Sequence, residues 1–116
     1  MDSDCLFCRI VAGEIPATVV HESDTALAFR DINPQAPVHV LVIPREHHRD
    51  VVALAADPRA AAGVLAAAAA VAQAEGLLPD GFRLLFNTGS HAGQEVFHVH
   101  AHVLGGRPLG PMLATR

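Results

Sequence analysis

Hydrophobic and polar residues follow several different periods along this chain, and each change of period marks an element. Residues 1–16 form an N-terminal arm in which Leu6 to Ala12 has the spacing of a short helix, closed by Gly13 and Pro16. The runs "TVVHES" (18–23) and "TALAFRD" (25–31) alternate as the arms of a hairpin. "VHVLVIP" (38–44) is almost continuously apolar, as expected of a buried strand, and stops at Pro44. "REHHRDVVALAA" opens a short helix. The stretch 58–75 carries the clearest helix signal: Asp57 can cap it, Pro58 fits its first turn, its alanines have high propensity, and Gly76 can end it. Its small side chains suit close packing, against the sheet or against a second copy. "FRLLFNT" (82–88) and "EVFHVHAHVLG" (95–105) supply two more strands, before a tail at 105–116. This order predicts an α+β protein. The 116 residues suit one domain over 1–116, with no repeat or linker.

Composition narrows the function classes. The net charge is −4, lysine is absent, and the eight arginines are scattered along the chain, so no basic surface for nucleic acid is indicated. Stacking residues are few as well, with five phenylalanines and no tyrosine or tryptophan. Although 51% of residues are hydrophobic, no apolar run approaches the roughly 20 residues of a membrane span, and "MDSDCLFC" lacks the pattern of a secretory signal. These features predict a soluble cytoplasmic protein with neither a membrane nor a nucleic-acid partner.

The chemistry is concentrated in the last strand. Alternation puts His98, His100 and His102 on one face and Val99, Ala101 and Val103 on the other. Three aligned imidazoles can bind a metal, supply a nucleophile with its orienting neighbours, or line a polar surface. The loop "NTGSHAGQEV" (87–96) brings small residues whose backbone can approach an anion, with Gln94 as a further donor. It lacks the lysine and spacing of a Walker loop; taken alone it could equally be an ordinary strand connection. Cys5-x-x-Cys8 suits buried thiols, a redox pair or half of a metal site.

Taken in order, "CLFCRIVAGEIPA", "LAFRDINPQAPVHVLVIPREH", "FRLLFNTG" and "AGQEVFHVHAHVLGGR" resemble the histidine triad family over nearly the whole chain, most closely its Hint-like branch of nucleotide-binding phosphoramidases. The resemblance implies a five-stranded antiparallel sheet with packed helices, a homodimer, and hydrolysis of a purine nucleoside phosphoramidate through a nucleotidyl-histidine intermediate. The alternatives are dinucleoside polyphosphate hydrolysis and a non-catalytic nucleotide or zinc-binding role.

By the same resemblance His100 is the nucleophile, His102 and His39 orient it or the phosphate, and His98 stands beside them. The alternative for His39 is a buried histidine satisfied by the backbone. Asp31 would contact the ribose hydroxyls, its alternative being a turn residue before Asn33 and Pro34, and Phe29 and Ile32 would flank the base. Asn87, Gly93, Gln94 and the Val96 backbone would meet the phosphate and ribose. Cys5, Cys8, His47 and His98 would hold a structural Zn²⁺, with His48 as a substitute ligand, and no catalytic metal is required. His21 and His91 are expected on the surface, and Arg107 in the tail rather than at the phosphate.

Two departures stand out. Glu95 occupies the place where many Hint-like relatives carry a serine that assists the leaving group, and the tail "RPLGPMLATR" lacks their tryptophan. A carboxylate there adds negative charge beside an anionic substrate.

Overall fold

The computed structural model describes residues 4–113. Its elements are α1 (Leu6–Val11), β1 (Val19–Glu22), β2 (Ala26–Arg30), β3 (Val38–Pro44), α2 (Val51–Ala55), α3 (Pro58–Ala74), β4 (Phe82–Phe86), a 3₁₀ turn (Ser90–Ala92) and β5 (Ala101–Gly105). The strands make one antiparallel five-stranded sheet in the order β1-β2-β3-β5-β4. The α+β expectation holds. Because β5 inserts between β3 and β4, the histidine-rich segment lies beside the most apolar strand.

Side-chain alternation gives the sheet two different faces. Ala28, Val40, Val42, Ala101 and Val103 point to one face and pack against Val64, Ala67, Ala68, Val71 and Ala72 of α3. One side of the alanine tract therefore meets the sheet, where its short side chains let the helix lie close to the strands, while Ala62, Ala66 and Ala69 on the other side are exposed. Gly63 marks the tightest approach, since a Cβ there would fall 2.0 Å from Thr25 Oγ1. Asp57 caps α3, with Oδ1 accepting from the Ala60 amide at 3.2 Å, a contact worth about 1 kcal/mol.

On the opposite face Leu27, Phe29, Leu41 and Ile43 form a second cluster with Cys5, Phe7 and Cys8. The N-terminal arm is thus bound to the sheet rather than trailing from it. Cys5 Sγ itself caps α1, accepting from the Cys8 amide.

One expected element is shorter than its sequence pattern. The strand predicted over 95–105 begins only at Ala101. Pro44 has no N–H with which to extend the β3 ladder, and the backbone of 98–100 bonds elsewhere: the Val99 amide donates to His48 O at 2.7 Å, and the His98 carbonyl accepts from its neighbour's imidazole. The alternation of faces nevertheless persists, because Val99, Ala101 and Val103 all enter the α3 core.

Candidate active site and metal cluster

Register places the imidazoles. In the β3–β5 ladder His39 pairs with Leu104 and Leu41 with His102, so His39 and His102 are diagonal neighbours on the face opposite α3. His39 Nε2 lies 2.9 Å from His102 Nδ1. The His100 and His102 rings are 5.1 Å apart, and the Phe7 ring meets His100 almost perpendicularly at 5.1 Å.

For the neutral form of each ring, the hydrogen bonds fix which nitrogen carries the proton. His100 Nδ1 lies 2.9 Å from the His98 carbonyl oxygen, which can only accept. His100 therefore donates from Nδ1 and keeps a lone pair on Nε2. The Gln35 amide donates to His39 Nδ1 at 3.0 Å, so His39 carries its proton on Nε2 and donates it to His102 Nδ1. His102 is left with an Nε2–H that is buried and has no partner among the described residues. Such an orphaned donor costs about 1–3 kcal/mol, which an incoming acceptor would relieve.

Burial opposes charging of this pair. Desolvation lowers the His39 pKa from its ordinary 6.5 against the opposing pull of Asp31. The His102 value is pushed down to about 4 by desolvation, aided by repulsion from His100 and His39. Asp31 Oδ2 stands 3.4 Å from His39 Nε2, while its Oδ1 accepts from the Asn33 amide in a local turn. The turn reading of Asp31 is met by Oδ1, while Oδ2 faces the histidines.

These groups open onto a cavity of about 850 Å³. Phe29, Asp31, Ile32, His39, Asn87, Gly93, Gln94, Val96, His100 and His102 all border it, as does Glu95. Within the 87–96 loop the amides of Gly93 and Gln94 are already bonded to the carbonyls of Ser90 and Gly89. The Gln94 side chain is equally occupied, donating to the Arg49 and Val96 carbonyls and accepting from the Gly89 amide. Gln94 is therefore a buried brace of the loop, with its donors spent.

Sequence reasoning missed the apolar wall that the N-terminal arm contributes. Leu6, Phe7, Ile10 and Ile15 line the cavity. Their near-helical spacing, with Leu6 and Ile10 four residues apart, was the available signal. Arg30 also borders the cavity, but its guanidinium is held by both oxygens of Glu75 at 3.0 and 3.1 Å.

His98 has a separate place. It is fully buried, and its Nε2–H donates to the Pro44 carbonyl at 2.9 Å, which turns the Nδ1 lone pair toward the thiols. Cys5 Sγ and Cys8 Sγ lie 3.4 and 3.5 Å from His98 Nδ1, and His47 Nδ1 lies 3.4 Å from Cys8 Sγ. The four ligand atoms all fall within 4.8 Å of one another. A tetrahedral site with Zn–S of about 2.3 Å and Zn–N of about 2.0 Å has S···N edges of about 3.6 Å, close to these separations. The donor set and the carbonyl bond behind His98 both fit a metal, and this cluster could chelate one. Burial pushes the His98 pKa down to about 4, which keeps the ring a neutral donor.

His48 is turned away from this cluster, with Nε2 3.2 Å from Asp57 Oδ2. His91 is exposed, whereas His21 is half-buried on β1 rather than fully at the surface. Arg107 lies beyond β5, donating to the Pro108 and Gln35 carbonyls.

Sheet order, the line of imidazoles and the cavity beneath them define the histidine triad class of proteins. The chain belongs to the HIT family: the model of the HIT domain matches residues 12–109. It is 48% identical to the purine nucleoside phosphoramidase of Escherichia coli (strain K12), over all of this chain and 98% of that protein. Among solved structures, a HIT family hydrolase from Legionella pneumophila Philadelphia 1 shares 52% identity at a TM-score of 0.87, covering 91% of this chain and 96% of the other. A HIT family hydrolase from Clostridium thermocellum reaches a TM-score of 0.92 at 41% identity, with 98% and 100% coverage. No helix among the described residues is long and apolar enough to cross a membrane.

Proposed function

We propose that this protein hydrolyses purine nucleoside phosphoramidates to a nucleoside monophosphate and an amine, with His100 as the nucleophile. The observation that carries this reading is the Nδ1 contact of His100 with the His98 carbonyl, which leaves Nε2 unprotonated at the cavity. The 48% identity to a purine nucleoside phosphoramidase supports the substrate class.

In the first step His100 Nε2 attacks the α-phosphorus, the P–N bond to the amine breaks, and the leaving nitrogen takes a proton from solvent to depart as the free amine. In the second, water attacks the nucleotidyl-histidine, supplying hydroxide to phosphorus and returning a proton to solvent, and Nε2 recovers its lone pair. His102 Nε2–H supplies a hydrogen bond to a phosphoryl oxygen, relieving its orphaned state and stabilising the charge that develops. His39 holds His102 in the required tautomer. Asp31 receives the ribose hydroxyls, Phe29 and Ile32 flank the base, and Asn87 and the Val96 amide complete the phosphate cradle that Gly93 and Gln94 shape. Glu95 borders the same cavity and sets a carboxylate beside an anionic leaving group, which weighs against dinucleoside polyphosphates.

Cys5, Cys8, His47 and His98 hold a structural Zn²⁺ in this reading. The metal would clamp α1 to the segment that orients His100, and it takes no part in the chemical steps. The chain acts as a single domain, in a homodimer for which edge strand β4 offers the exposed Phe82 and Leu84. Cys5 and Cys8 form no disulfide, which suits a reducing compartment such as the cytoplasm. The deciding experiment is steady-state hydrolysis of an adenosine 5′-phosphoramidate by the wild type and by His100→Ala. Release of AMP by the wild type alone supports the reading, and equal release by both removes the nucleophile assignment.

A further inference from the structure

The sequence Gly105-Gly106-Arg107 ends the last strand and leads out of it; it takes no part in the chemistry above, yet each of its residues is shaped by a neighbour. A Cβ on Gly105 would meet Leu77 Cδ2 at 2.9 Å. Gly106 has φ +97°, and a Cβ there would fall 2.9 Å from Pro37 Cβ. The chain therefore turns tightly against the loop that joins β2 to β3. This turn delivers Arg107, whose Nη2 donates to the Gln35 carbonyl at 3.2 Å. The amide of the same Gln35 donates to His39 Nδ1 at 3.0 Å.

We propose that Arg107 is a positioning residue that holds Gln35 in place and so sets the tautomers of His39 and His102. The amide of Gln35 reserves His39 Nδ1 as an acceptor, which sends the His39 proton to Nε2 and toward His102 Nδ1, 2.9 Å away. His102 then presents an N–H to the cavity. With the Gln35 loop displaced, Asp31 Oδ2 at 3.4 Å from His39 Nε2 still favours the original tautomer, but His39 can also carry its proton on Nδ1; His102 then donates back from its own Nδ1, and a lone pair replaces the N–H at its Nε2. An anionic phosphate would then meet a lone pair instead of a donor. Arg107 thus controls the polarity of a site it does not touch.

The consequence for turnover rests on the phosphoramidase reading, whereas the tautomers do not, so two readouts keep the two apart. Long-range ¹H–¹⁵N correlation spectra of the imidazoles would be recorded for the wild type, Arg107→Ala and Arg107→Lys, alongside kcat and KM for an adenosine phosphoramidate. The wild type should show Nε2–H tautomers at both His39 and His102. A mixture is expected in Arg107→Ala, with kcat lowered about fivefold, the equivalent of one such hydrogen bond, and KM little changed. Arg107→Lys, which keeps a donor, should recover part of both, and it also serves as the test if the alanine variant does not fold. Wild-type tautomers and wild-type kcat in folded Arg107→Ala would overturn the proposal; so would Nδ1–H tautomers in the wild type. If no protein turns over the substrate, the spectra alone decide, and the failure lies with the activity.

Discussion

His98 and His100 are two residues apart and face different tasks, and the link between them is a single hydrogen bond: the His98 carbonyl accepts the Nδ1 proton of His100 at 2.9 Å. The side chain of His98 is turned to the thiol cluster while its backbone orients the neighbouring imidazole. One residue therefore joins the candidate metal site to the candidate nucleophile.

Removal of the nucleophile should be nearly complete in effect. His100→Ala is expected to lower kcat for an adenosine phosphoramidate by at least about a thousandfold, since no other group supplies the attacking lone pair. AMP binding by calorimetry should persist, and rapid-quench trapping should find no nucleotidyl-enzyme. A trapped adduct in the variant would assign attack to another residue.

The thiol cluster should govern metal content before it governs chemistry. Wild-type protein is expected to carry about one zinc per chain, and Cys5→Ser with Cys8→Ser to lose most of it and to melt at lower temperature. Elemental analysis and thermal unfolding read both effects. Unchanged stoichiometry in the double variant would place the metal elsewhere.

Asp31→Asn removes the carboxylate that holds up the pKa values of His39 and His102. Both should fall further below 6.5, as read by NMR titration of the imidazole protons. The same variant should discriminate less well between ribo- and deoxyribo-substrates in kcat/KM, by about tenfold if two hydroxyl contacts are weakened. Unaltered discrimination would limit Asp31 to the histidine contact and its turn.

Stability should fall in mildly acidic solution. Unfolded histidines take up protons near pH 6.5, whereas folded His98 and His102 resist them down to about pH 4. Between those values the unfolded chain binds more protons, so stability rises with pH there and is lost as pH falls. For metal-free protein the loss from pH 7 to 4 should be on the order of a few kcal/mol, measured by urea unfolding. A flat profile would show that both rings gain compensating contacts on protonation.

What the sequence by itself determined were the features with strong local causes. Asp57 and Pro58 marked the start of α3, and the apolar run 38–44 identified β3 to the residue, because capping, proline geometry and burial act within a few positions. The ribose reading of Asp31 came only through family resemblance, since nothing local distinguishes it from a turn residue.

Tertiary structure decided the rest. Which alanines of α3 meet the sheet depended on where the helix packed, and Ala60, Ala67, Ala68 and Ala72 do. The segment 95–100 had the alternation of a strand, but its Val99 amide is taken by the His48 carbonyl and its His98 ring by the Pro44 carbonyl, both far away in sequence. The tautomers of His39, His100 and His102 depended on Gln35 and on backbone carbonyls, and no side-chain pattern encodes these. A period of two says which way an imidazole points; only the folded backbone says which of its nitrogens holds the proton.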